Sequence, residues 1–129
     1  MVGRSLVLVV DDDESVRESV PDLLRELGFA AHAFSSAKEF LASDYLSQTR
    51  CLILDIAMPG MTGPELQREL WLRRQEIPIV FVTGNRDETV RSRMLDQGAV
   101  ECLFKPLSHT ALRKALKRRC AFEGHPACP

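Results

Sequence analysis

Four short apolar runs, each ending on a polar group, organise the chain. LVLVV runs into Asp11, Asp12 and Asp13, CLIL into Asp55, IVFV into Thr83, and CLF into Lys105. A continuously apolar segment of this length, bounded by turn formers, reads as a strand covered on both faces, as in a parallel sheet beneath helices. Between the runs the period changes. Val16, Val20, Leu23, Leu24 and Leu27 recur at helical spacing, with Asp13 placed to cap the start and Gly28 the end, which predicts a helix over 14–27. Pro21 interrupts that pattern by removing a backbone donor and crowding the carbonyl of Arg17, so a kink or a late start is expected.

The remaining pattern repeats the alternation. Residues 29–34 form a weaker strand, expected at an edge, and Ser36 precedes a short helix bearing Ala37, Phe40 and Leu41, with Leu46 beyond. A strand over 50–55 leads into a loop over 56–62, and Gly63 opens a helix with Leu66, Leu70 and Trp71 on its inward face. Ile77-Pro78 enters the fourth strand. A helix over 86–97 then turns Val90, Met94 and Leu95 inward and is capped by Gly98. A fifth strand over 100–104, a Lys105-Pro106 turn and a helix over 108–120 burying Leu112, Ala115 and Leu116 complete the chain. Five strands alternating with five helices through right-handed crossovers predict a flavodoxin-like (βα)5 fold, a doubly wound parallel sheet in the order 2-1-3-4-5. Strands 1 and 3 then flank the point where the order reverses, and the first acidic cluster meets Asp55 there.

Composition narrows the picture. A chain of 129 residues fits one domain, and a net charge of −1 gives no bulk attraction to nucleic acid or acidic membranes. The first residues lack the plan of a signal peptide, and no apolar run approaches the ~18 residues of a membrane span, so the cytoplasm and reduced thiols are expected. Cys51 and Cys102 lie inside apolar runs and read as small core residues, with no disulfide framework. The domain is expected to occupy 1–121, leaving 122–129 as a disordered tail.

Three carboxylates in one crevice repel one another, and the state persists only with a compensating cation or retained protons. Mg²⁺ suits such a set, because it prefers oxygen and binds through one or two carboxylates while keeping several waters. Asp12, Asp55 and one loop carbonyl supply ligands, with Asp11 holding a metal-bound water; no His or Cys stands in position for a zinc-type set. An Asp beside Mg²⁺, faced by a Lys and a Thr, is also suited to carry phosphate on its carboxylate. Mg²⁺ and the Lys105 ammonium would neutralise the incoming charge while Thr83 donates a hydrogen bond.

At this point the sequence resembles a response-regulator receiver domain of two-component signalling, nearest to the FixJ type and CheY-like. VVDDDESVR resembles the acidic-pair turn, LDIAMPGMTG the phosphoacceptor loop, VFVTGN the switch-threonine strand, and GAVECLFKP the lysine–proline end, covering about residues 5 to 119. The resemblance implies Asp55 as phosphoacceptor, Asp11 and Asp12 as the acidic pair, Ala57 as the residue lending Mg²⁺ a backbone carbonyl, Thr83 as the switch hydroxyl and Lys105 as the phosphoryl partner. It further implies a phosphohistidine donor on a histidine kinase or phosphotransfer protein, self-catalysed transfer and slow hydrolysis without enzymatic turnover, and a cis Lys105-Pro106 bond. Two departures stand out. Cys102 occupies the position where receivers usually carry Tyr or Phe, leaving Thr83 alone, Phe104 as substitute, or poor switching as readings. Ala57 and Asn85, at the positions that usually tune hydrolysis, leave the acyl-phosphate lifetime open.

Simpler roles compete for the other marked residues. Asp13 reads as a plain N-cap and Trp71 as core. Cys120, His125 and Cys128 belong to the tail and do not make a metal clip. The basic run Arg113, Lys114, Lys117, Arg118 and Arg119 reads first as a solvated face, and second as a homodimer surface meeting acids among Asp87, Glu88, Asp96 and Glu101. Direct nucleic-acid contact is not expected, since the chain has no reading helix and no overall positive charge, and no membrane contact is expected; the chain reads as a stand-alone receiver or a fragment of a longer regulator. Two rival functions remain: a receiver-like interaction module with impaired switching because of Cys102, and a small phosphatase of the haloacid-dehalogenase type with Asp11 as nucleophile. The second lacks the further acidic pair after its Lys.

Overall fold

The computed structural model describes residues 4–84 and 87–117. Five parallel strands, β1 (Leu6–Val10), β2 (Ala30–Phe34), β3 (Thr49–Asp55), β4 (Ile79–Thr83) and β5 (Glu101–Phe104), form one sheet in the order β2-β1-β3-β4-β5. Five helices alternate with them: α1 (Glu14–Glu26), α2 (Ala37–Leu41), α3 (Gly63–Leu72), α4 (Glu88–Asp96) and α5 (His109–Ala115). The expected flavodoxin-like topology is present, with β2 at an edge.

The period of two along each strand sorts the core into two layers. Val7 and Val9, Cys51 and Ile53, Val80 and Val82 face α1 and α5, where Val16, Val20, Leu24, Leu112, Ala115 and Leu116 meet them. Leu8 and Val10, Leu52 and Leu54, Ile79 and Phe81 face Phe40 of α2, Leu66 and Leu70 of α3, and Met94 of α4. Both faces are apolar because both are covered, which is why the strand runs carry no polar alternation. The same parity carries Asp11 and Asp55 onto the α1–α5 side at the strands' C-terminal edge.

Several expectations change. α1 begins at Glu14 and continues through Pro21, so the late start does not occur; Val16, Val20, Pro21 and Leu24 are all buried, and that burial offsets the ~3 kcal/mol proline costs a helix interior. Trp71 is 74% exposed and is not core. Leu66 and Leu70 already occupy the inward stripe of α3, and one further residue turns the indole by about 100° into solvent. Cys51, fully buried on β3, is disulfide-bonded, which corrects the expected reduced core thiol; pairing depends on spatial approach that strand pattern does not reveal. Cys102 is free and buried. The end of the last helix, Asn85, the cluster Cys120, His125 and Cys128, and the boundary at 121 also lie outside the described residues.

Candidate functional site

The site is built from chain ends whose positions the sheet dictates. Val10 pairs with Leu54 across β1 and β3, so the residues that follow, Asp11 and Asp55, leave the sheet side by side. Both are almost completely buried, at 1% and 5% exposure, while Asp12 is exposed. Carboxylate oxygens of Asp11, Asp12 and Asp55 all lie within 4.8 Å of one another. Lys105, immediately after β5, reaches back across the rim. Its Nζ is 3.1 Å from Asp11 Oδ2, 3.3 Å from Asp11 Oδ1 and 3.5 Å from Asp55 Oδ2. The Lys105-Pro106 bond is cis, as expected. Thr83 is buried at the end of β4, one residue past Val82, the register partner of Asp55.

Local bonds hold the turns. The Asp13 carboxylate caps α1 by accepting from Ser15 N, while Asp13 N donates to Asp11 Oδ1 at 2.9 Å. Ala57 N donates to Asp55 Oδ1 at 3.3 Å, and Ala57 itself is exposed. Thr62 and Glu65 form a reciprocal capping box at the start of α3, and Gly63 packs so closely against the Asp55 carbonyl that a Cβ there would collide with it.

Charge crowding leaves its mark on acid strength. Burial, then the Asp11 carboxylate, pushes Asp55 up to about 7, with hydrogen bonds to Asp11 and Asp12 adding to the effect and Lys105 opposing it. Burial alone would lower Lys105, but the hydrogen bond and charge of Asp11, then Asp55 and Asp13, outweigh it and raise the ammonium above its ordinary value. The buried Oδ2 of Asp11 lies 3.1 Å from that ammonium yet accepts no well-directed hydrogen bond. One lysine thus leaves a surplus of negative charge and an unsatisfied oxygen. An all-oxygen set of this kind fits a hard divalent cation such as Mg²⁺, with Asp11, Asp12 and Asp55 to hold it.

The structure brings together Asp11, Asp12, Asp55 and Lys105 and keeps Thr83 on the neighbouring strand. Burial raises the Cys102 thiol, which packs in the α4-side core with Phe81 and Met94. Two features escape a reading of sequence alone. Arg17 of α1 donates from Nη1 to the Asp11 carbonyl at 3.1 Å; its spacing, one turn beyond the capping Asp13, was the available signal. Arg91 of α4 pairs with Glu101 of β5 at 2.8 Å, so Glu101 is engaged within the chain.

Comparison with known proteins agrees with the geometry. The family model for the response regulator receiver domain matches residues 7–117. Nodulation protein W of Bradyrhizobium diazoefficiens is 40% identical over 113 residues, covering 88% of this chain and 50% of the relative. The transcriptional regulatory protein FixJ of Azorhizobium caulinodans is 34% identical over 111 residues, covering 86% and 53%. Among solved structures, the response regulator StyR superposes with a TM-score of 0.83 at 40% identity, covering 97% of this chain and 63% of that one. The crystal structure of FixJ-N gives 0.79 at 34%, covering 93% and 96%. The chain spans about half the length of the curated relatives it matches. Because FixJ is named a transcriptional regulatory protein, the expectation of no direct nucleic-acid contact finds no support. No helix among the described residues is long and apolar enough to cross a membrane. A parallel sheet whose C-terminal edge gathers Asp11, Asp12, Asp55 and Lys105, matched by the family model over most of its length, places this chain in the response regulator receiver domain family.

Proposed function

We propose that this receiver accepts a phosphoryl group on Asp55 from the phosphohistidine of a histidine kinase or phosphotransfer protein, in a Mg²⁺-dependent reaction. The observation that carries the reading is the Lys105 ammonium lying between Asp11 and Asp55, beside an acidic trio with charge to spare. An Asp55 carboxylate oxygen attacks phosphorus as the bond from phosphorus to the imidazole nitrogen breaks; the imidazole leaves with the bonding pair and takes a proton from solvent. When bound, Mg²⁺ supplies positive charge that offsets the charge of the transferring phosphoryl oxygens. Lys105 donates to one of those oxygens, Asp11 and Asp12 hold the metal with the Ala57 carbonyl, and the Thr83 hydroxyl donates once the phosphoryl group is in place.

Cys102 shapes the output. With a packed thiol where an aromatic ring is usual, Thr83 is the group that passes the signal toward α4 and β5. A homodimer through α4, β5 and α5 belongs to the same proposal, with Arg113, Lys114 and Lys117 exposed on its basic side. The cytoplasm is the compartment this reading implies. The test mixes protein, Mg²⁺ and acetyl phosphate and measures intact mass. Wild type gains one phosphoryl group and Asp55→Asn none; an unlabelled wild type, or an Asp55→Asn protein that still labels, overturns the reading.

A further inference from the structure

Besides the Lys105 ammonium on its carboxylate, residue 11 is held at three points. Its N–H donates to the Phe34 carbonyl at 3.1 Å, its Oδ1 accepts from Asp13 N at 2.9 Å, and its carbonyl accepts from Arg17 Nη1 at 3.1 Å. The third contact is the one that ties the backbone of the turn to a side chain of α1. The first bonds of α1, from Val16 N and Arg17 N, both end on the Asp13 carbonyl. The Asp11 carbonyl is therefore left to a side chain. Asp12 follows it directly, is exposed, and depends on the peptide preceding it for the direction of its carboxylate.

We propose that Arg17 is a positioning residue for Mg²⁺: by holding the Asp11 carbonyl, its guanidinium fixes the Asp11–Asp12 peptide and keeps the Asp12 carboxylate in the trio. The proposal rests on the reading of the trio as a Mg²⁺ site. The end of β2 braces the same turn from its other side, through the Phe34 carbonyl that accepts from Asp11 N.

The sign of the effect separates positioning from field. Removing a cation from beside an acidic trio strengthens its attraction for a divalent ion, whereas releasing the peptide weakens it. Arg17→Met keeps the aliphatic stem and loses both donor and charge; Arg17→Lys keeps a donor. MgCl₂ is titrated into each whole chain while the amide signals of Asp13 and Ala57 are followed by NMR, with thermal unfolding in the absence of Mg²⁺ as the control for structure. Arg17→Met binds Mg²⁺ about tenfold more weakly than wild type, exchanges the Asp13 amide faster, and Arg17→Lys recovers most of the affinity. Equal or tighter binding by Arg17→Met overturns the inference and leaves the site reading intact. A wild type that binds no Mg²⁺ overturns both.

Discussion

β3 and β5 deliver the two partners of one ion pair by opposite means. β3 is seven residues long, has a neighbour on each side, and buries every side chain except Arg50. β5 has four residues, lies at the sheet edge and fully buries Cys102 while leaving its other three side chains half-buried. The difference follows the side chains they present. Asp55 has a single methylene, so the position of its carboxylate is the position of its backbone, and a backbone is fixed by a central strand. Lys105 reaches the same point on four methylenes, and length supplies what the edge strand lacks in rigidity.

That contrast is open to measurement. The largest effect is expected from Ile53→Ala in β3, which empties a sealed position and lowers stability by about 2–5 kcal/mol in denaturant titrations; Leu103→Ala in β5, half-buried, costs less than half as much. Equal losses would remove the distinction between centre and edge. Next come single-turnover labelling rates with a phosphoryl donor. Asp55→Glu moves the carboxylate by one methylene and slows labelling about 100-fold, whereas Lys105→Arg keeps reach and charge and loses about tenfold. Gly63→Ala presses a Cβ onto the Asp55 carbonyl, Ile56 and Phe81, and costs about 1–3 kcal/mol by overpacking.

The smallest effect is in pH dependence. Asp55 titrates at about 7 when folded against 3.8 for the ordinary carboxyl, so it binds its proton more tightly in the folded state. Its contribution to stability is therefore full below about pH 4 and is lost as pH rises through about 7. From about pH 6 to about pH 8, without Mg²⁺, wild type loses about 1 kcal/mol that Asp55→Asn does not lose. Parallel curves for the two proteins would place the charge strain elsewhere than on the β3 carboxylate.

The fold was legible because a parallel sheet writes its burial and its functional edge into the same runs. LVLVV before Asp11 and CLIL before Asp55 specify strand, direction and rim together, and topology then brings residues 44 positions apart into contact. The position of Asp13 as helix cap was legible for the same local reason. What sequence hides is the competition among residues that share a pattern. Trp71 follows Leu66 and Leu70 closely enough to pass for core, but the stripe was already filled. Pro21 predicts disruption from local sterics, yet the packing of its neighbours decides the outcome. The Arg91–Glu101 pair depends on where long side chains fold back, which no spacing encodes; Arg17 had only its spacing from Asp13 to mark it, and the disulfide of Cys51 depends on spatial approach.

The outward indole of α3 has a practical consequence. Trp71 is the single tryptophan of the chain and already stands in water, 74% exposed. Its emission maximum in the native state is accordingly close to that of the unfolded chain, so a fluorescence wavelength scan registers little of the denaturation that circular dichroism reports in full. Remote from the acidic rim, the same chromophore serves instead as a spectator whose anisotropy follows tumbling, and hence the size of whatever assembly this receiver joins.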